Sequence, residues 1–328
     1  MSGFATNELA VAVTRAGGLG QIGFTGNVQS LENELEQAQR KLRDTKLYSK
    51  TSKVLPVGIG MVAFDGSARP WIRTLTKYNP AMVWLSFGTA AEFGAWTADI
   101  RVASPSTKIW IQVGSVTAAL EAAGTCQPDA LVMQGNDAGG HGHRYGASIV
   151  TLIPEAADAL EQRGLANIPL VAAGGIMDKR GAAAAIALGA SGLVMGTRFL
   201  GCEEIDIDPE VVDEVLAASD GGQSTVRSRA FDDIWGTNYW PAMYDGRCLR
   251  NAIFDNIEGG MSIQGARHRL YNSSNSGSAI RDTHTIWAGT GVGMIKQREK
   301  ASDIVNRIQE ETRELIQQTA DGLGPTAG

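Results

Sequence analysis

The run Gln134-Gly135-Asn136-Asp137-Ala138-Gly139-Gly140-His141-Gly142-His143 holds two of the chain's four histidines. A Gly-Gly pair beside an imidazole lets a flat ligand lie against bare backbone while a proton-transfer group stands over it. The residues just ahead, 130–133, are apolar and read as a buried strand, so His141 is expected on a loop just past a strand end. His143 lies further from that end and reads as structural, and Asp137 as a residue that orients the loop through hydrogen bonds. No Gly-x-Ser-x-Gly elbow accompanies the histidine, which argues against a serine hydrolase. His141 and His143 supply only two ligands, and no third is evident, so no metal site is expected.

Two more glycine turns follow apolar runs. Ala172-Ala173-Gly174-Gly175-Ile176 and Val194-Met195-Gly196-Thr197-Arg198 each bring backbone N–H groups to a strand end. Two such turns after consecutive strands, with a helix N-terminus behind them, suit a phosphate. Trp287-Ala288-Gly289-Thr290-Gly291-Val292-Gly293 is a further glycine-rich loop. The aromatics Trp235, Tyr239 and Trp240 fit a substrate pocket and a subdomain core equally well.

The elements that must position these residues alternate. Apolar runs at 19–24, 55–61, 82–87, 108–113, 130–134, 168–173 and 192–196 read as seven strands. Helix-like segments lie between them, with Ser115 and Asp178 as N-caps of two. Alternation with near-continuous apolar strands implies a parallel sheet covered by helices. A doubly wound sheet is disfavoured, because Gly17-Gly18-Leu19-Gly20 precedes its strand instead of following it. The expected fold is α/β, a (β/α)8 TIM-type barrel, with one strand missing where the first should be. Residues 1–201 would form the barrel, 202–280 a mostly helical substrate-side subdomain, and 281–328 a glycine-rich loop and a helix packing back on the barrel.

Composition sets the class. The chain has 328 residues, 43% hydrophobic and 20% charged, enough for a large core. A net charge of -6 argues against a nucleic-acid partner. No apolar run reaches the roughly 18 residues that cross a membrane. The three cysteines are widely spaced and read as reduced thiols, so a cytoplasmic location is expected. Nothing in the sequence sets the oligomeric state.

Taken in order, the His141 run, the Gly174-Gly175 turn, the Gly196-Thr197 turn and the Trp287 to Gly293 loop resemble the nitronate monooxygenase family, formerly called 2-nitropropane dioxygenases. The resemblance implies FMN at the top of the barrel. Gln134 and Gly139 would contact the flavin ring and ribityl region. Gly174, Gly175, Met195, Gly196 and Thr197 would hold the phosphate side, and His141 would be the catalytic residue. It also implies oxidation of alkyl nitronates, and of nitroalkanes once their α proton is removed, with O2, to a carbonyl compound and nitrite. The partners would then be a small-molecule substrate and O2. Two departures stand out. Family members usually begin with a strand ending in Ala-Pro-Met, so Met1 would be that Met and the upstream strand would lie outside this chain. Many members also carry Asn where this chain has Gly60. The alternatives are an FMN-dependent NAD(P)H enoyl-thioester reductase and a non-catalytic scaffold with a degenerate flavin site.

Overall fold

Strands buried on both faces need apolar side chains at every position, and the computed structural model shows why these runs have them. It describes residues 3–48, 51, 53–64, 66–274, 280 and 284–322. The main sheet consists of β1 (Gln21–Ile22), β2 (Leu55–Val62), β3 (Pro80–Ser86), β4 (Lys108–Val113), β5 (Ala130–Gln134), β7 (Leu170–Ala173) and β8 (Gly192–Val194). Its seven strands are parallel throughout and run in chain order from β1 to β8, with β6 (Gly140–His143) absent from the sequence of neighbours. Alternate side chains go to opposite faces. Met82, Trp84, Ala130, Val132, Val171 and Ala173 form an inner cluster with Trp110 and Val194. Val83, Leu85, Ile109, Ile111, Leu131 and Met133 face outward into the main core.

The outer layer is helical. It comprises α1 (Asn7–Arg15), α2 (Val28–Leu42), α3 (Ile72–Tyr78), α4 (Ala90–Ala103), α5 (Val116–Cys126), α6 (Ile149–Gln162) and α7 (Lys179–Ala187). Ser115 and Asp178 cap α5 and α7 as expected, each accepting from a backbone N–H in the first turn. The Gly17 to Gly20 motif proves to be a packing device. A Cβ at Gly20 would lie 1.8 Å from the Ala10 carbonyl oxygen, so only glycine lets the chain pass this close to α1.

All seven expected strands are present. The first is shorter than the apolar run at 19–24, because β1 is an edge with one neighbour. Among the described residues no eighth strand joins the sheet, and β1 and β8 are its two edges. Edge position shows in burial: every residue of β8 is half-buried, whereas all of β7 is buried.

The segment 202–280 carries α8 (Pro209–Ala217), α9 (Gly221–Ser224), α10 (Ala230–Asp233), α11 (Ala252–Glu258) and α12 (Ile263–Ser274). It also carries two strands that its sequence did not announce, β9 (Thr225–Ser228) and β10 (Tyr244–Leu249). These pair antiparallel with β6 (Gly140–His143) in the order β6-β10-β9. The histidine run is therefore a strand, tied to the segment that follows the barrel. The last helix, α13 (Ala301–Gly322), packs on α7 and α1 and buries Ile304 and Ile308 in the main core.

Candidate active site

His141 is fixed from four sides. Its backbone pairs with Gly246 of β10. Its Nε2 lies 2.8 Å from Asp232 Oδ1 on α10, and both side chains are nearly buried. Trp240 stacks on the imidazole at 3.7 Å between centroids and 8° between planes. Trp287 leans in at 4.6 Å. Trp287 can do so because its partner strand has glycine there: a Cβ at Gly246 would lie 2.2 Å from the indole. His141 Nδ1 has no hydrogen-bond partner among the described residues.

The surrounding residues hold this arrangement. Arg229, which precedes α10, donates to the carbonyls of Trp240, Pro241 and Tyr244. One guanidinium thus braces the loop that carries Trp240 against the helix that carries Asp232. Phe87 closes the end of β3 with φ of 58°, a left-handed backbone that costs a non-glycine residue about 1–2 kcal/mol. From there its ring meets Trp240 and Tyr244 edge-on, at 4.9 and 5.3 Å. Tyr244 is buried, which pushes its phenol up to about 12, and its hydroxyl donates to the Gly88 carbonyl.

The second half of the site is built from glycines in contact. A Cβ at Gly139 would lie 2.5 Å from the carbonyl carbon of Ala288, and one at Gly289 would lie 2.5 Å from the Asp137 carbonyl oxygen. The His141 loop and the Trp287 loop therefore touch backbone to backbone. Asp137 pins the contact: its carbonyl accepts from Thr290 N–H at 3.0 Å and its carboxylate from the Thr290 hydroxyl at 3.1 Å. Thr197 Oγ1 accepts from Gly289 N–H at 3.0 Å. Gly174 and Gly175 have φ of 104° and 75°, and both turn beneath the Gly135 to Ala138 loop. Gly139→Ala should force the two loops apart and destabilise the fold by roughly 1–3 kcal/mol, read as a lower midpoint in urea unfolding. An unchanged midpoint would show that the loops can part at no cost.

The expected site residues are thus largely brought together. Gln134, Gly139, His141, Gly174, Gly175, Gly196 and Thr197 gather at the carboxyl ends of β5, β7 and β8, with Met195 half-buried against the core beside them. Gln134 has an architectural task. Its Oε1 accepts from Gln112 and its Nε2 donates to the His141 carbonyl, each at 3.0 Å. His143 packs on Gly114 and Tyr244, and burial, with the Arg227 charge, holds its imidazole below the ordinary range, so it is neutral at pH 7. Of the three aromatics, Trp240 is in the site, while Trp235 and Tyr239 are 65% and 82% exposed. The space beside Gly60 is taken by Gln21, whose Nε2 lies 3.0 Å from where a side chain at 60 would begin. Sequence reading missed Asp232, Arg229 and Trp287 as partners of His141, since no local pattern links positions this far apart.

The profile of the nitronate monooxygenase family matches residues 85–311. The chain belongs to this family. A nitronate monooxygenase of Metarhizium robertsii, npaC, is 39% identical over 94% of this chain and 88% of its own length. A nitronate monooxygenase of Neurospora crassa is 32% identical over 95% and 87%. Among solved structures, FabK from Thermotoga maritima superposes with a TM-score of 0.75 at 24% identity, covering 98% of this chain and 93% of that one. A nitroalkane oxidase from Streptomyces ansochromogenes gives 0.73 at 21%, covering 97% and 94%. At those identities the two structures establish the family's barrel fold alone.

Proposed function

We propose that this nitronate monooxygenase family member binds FMN and oxidises alkyl nitronates with O2 to a carbonyl compound and nitrite. The family is flavin-dependent in general, and the observation that supports FMN here is a set of unclaimed donors. The backbone N–H groups of Gly174, Gly175, Gly196 and Thr197 make no protein hydrogen bond among the described residues, at the ends of two paired strands. Left-handed glycines and free amides at neighbouring strand ends are the donor set that a phosphate takes. Gly174, Gly175, Gly196 and Thr197 would hold the phosphate, with Met195 beside them, and Gln134 and Gly139 would lie along the ribityl and ring. FMN bound there supplies the redox chemistry and the reaction with O2.

The protein does the rest. Trp240, Trp287 and Phe87 exclude water around the imidazole. A nitronate is already an anion with a delocalised charge and needs no base. A neutral nitroalkane does, and His141 is the group placed to remove its α proton.

The test is anaerobic. A nitronate should bleach the visible absorbance of the purified yellow protein within seconds, and NADH or NADPH should leave it unchanged. Bleaching by NAD(P)H and none by nitronate would favour the enoyl-thioester reductase reading. A colourless protein that takes up no FMN would remove both.

A further inference from the structure

We infer that Asp232 is the positioning residue that makes Nδ1 of His141 the basic atom. The inference rests on the proposed nitroalkane chemistry for its kinetic consequence, but not for its structural content. A carboxylate has no proton to donate, so at 2.8 Å Asp232 Oδ1 accepts and Nε2 must carry the hydrogen. In a neutral imidazole the lone pair is then on Nδ1. That atom has no hydrogen-bond partner among the described residues, while Trp240 covers one face of the ring.

Three observations point to a site built for this contact. The two side chains are 12% and 11% exposed, so the pair is sheltered from water. The second carboxylate oxygen, Asp232 Oδ2, is buried and has no hydrogen-bond partner among the described residues. A buried carboxylate oxygen left unpartnered is costly, and its retention argues for a use beyond stability. Finally, Arg229 anchors both ends of the arrangement, since α10 carries Asp232 and the Arg229 guanidinium grips the Trp240 backbone.

The proton step balances as follows. The α C–H bond of the nitroalkane breaks and a new N–H bond forms at Nδ1. The C–H electron pair moves into the nitro group, giving the nitronate. The imidazole becomes an imidazolium whose Nε2–H still donates to Asp232, so the charge it gains faces a carboxylate. A substrate that arrives as the nitronate skips this step and should not depend on Asp232.

Asp232→Asn separates the possibilities. An amide nitrogen facing Nε2 donates to it, which moves the histidine proton to Nδ1 and removes the lone pair. With neutral nitroalkane kcat/KM should fall at least about 100-fold, while with preformed nitronate it should stay within about threefold. Asp232→Glu should restore part of the nitroalkane activity. Nitrogen-15 NMR of labelled histidine, with His141→Gln to assign the signal, should show the Nε2-protonated form in the native protein and the Nδ1-protonated form in Asp232→Asn. Equal loss with both substrates, or no loss with either, would overturn the inference, as would an unchanged His141 tautomer. A native protein that turns over neither substrate would instead refute the proposed function, and the NMR result would still decide the role of Asp232.

Discussion

His141→Ala is expected to lower kcat/KM for neutral nitroalkanes by about 100- to 10,000-fold, the range a positioned general base contributes. Turnover of preformed nitronate should fall far less, because that substrate has already lost its proton. The proposed FMN should remain bound, since the unclaimed amides of Gly174, Gly175, Gly196 and Thr197 lie past the ends of other strands. The imidazole also fills space between Trp240 and Trp287. His141→Gln, which keeps most of that volume without a base, should therefore behave like the alanine variant. Stopped-flow reduction with the two substrate forms reads both steps. Full nitroalkane turnover in either variant would remove His141 from the chemistry.

The second large effect lies away from the chemistry. Glu299, just before α13, binds Arg307 with both carboxylate oxygens at 2.6 and 3.0 Å and also binds Arg198. Arg198 is 7% exposed at its side chain and follows Thr197 in the chain. One carboxylate thus ties the turn after β8 to the helix that closes the fold. The Arg307 hydrogen bonds, then those from Arg198, hold the Glu299 carboxyl down to about 2, against the opposing effect of burial. A carboxyl depressed on folding contributes stability that is complete above its ordinary value of 4.5 and is lost as pH falls towards 2. The contribution is on the order of 3 kcal/mol. Glu299→Gln leaves Arg198 buried without its counter-charge and should cost about 3–5 kcal/mol at pH 7. That corresponds to a melting point lower by roughly 10 °C. Native protein and variant should converge as the pH is lowered from 4.5 to 2.5. A constant gap across that range would mean that Glu299 acts through packing and not through its charge.

The barrel was legible because its strands obey a local rule. All five residues of β5 are buried, so an unbroken apolar run marks it without any partner in view. The caps were legible for the same reason, since Ser115 and Asp178 act within one turn of themselves. The strand β6 was not, because Gly140-His141-Gly142-His143 has neither β-branched residues nor an apolar face. It is extended because β10 pairs with it from about a hundred residues further on. The site was legible in half. Glycine turns identify themselves, and His141 stood out by residue type. Its partners did not: Asp232 is one of two adjacent aspartates between Phe231 and Ile234, and only the fold selects which of them reaches the imidazole. The open aromatic question divided the same way, with Trp240 placed inside by the Arg229 brace and its neighbours left on the surface.

The two contacts that close this site join His141 to Asp232 across 91 residues and Asp137 to Thr290 across 153. Neighbouring barrel strands, by contrast, meet across 20 to 39 residues. Closing long loops costs entropy that is recovered only once the parts they join are already ordered. The strands and helices α2 to α7 can therefore assemble from near contacts, whereas α13 and the half-site around His141 wait for distant parts of the chain, the second sheet and the Trp287 loop among them, to arrive. Competence thus depends on contacts that near-neighbour assembly of the strands does not supply. Stress that loosens only the Trp287 loop would silence the enzyme and leave its barrel standing.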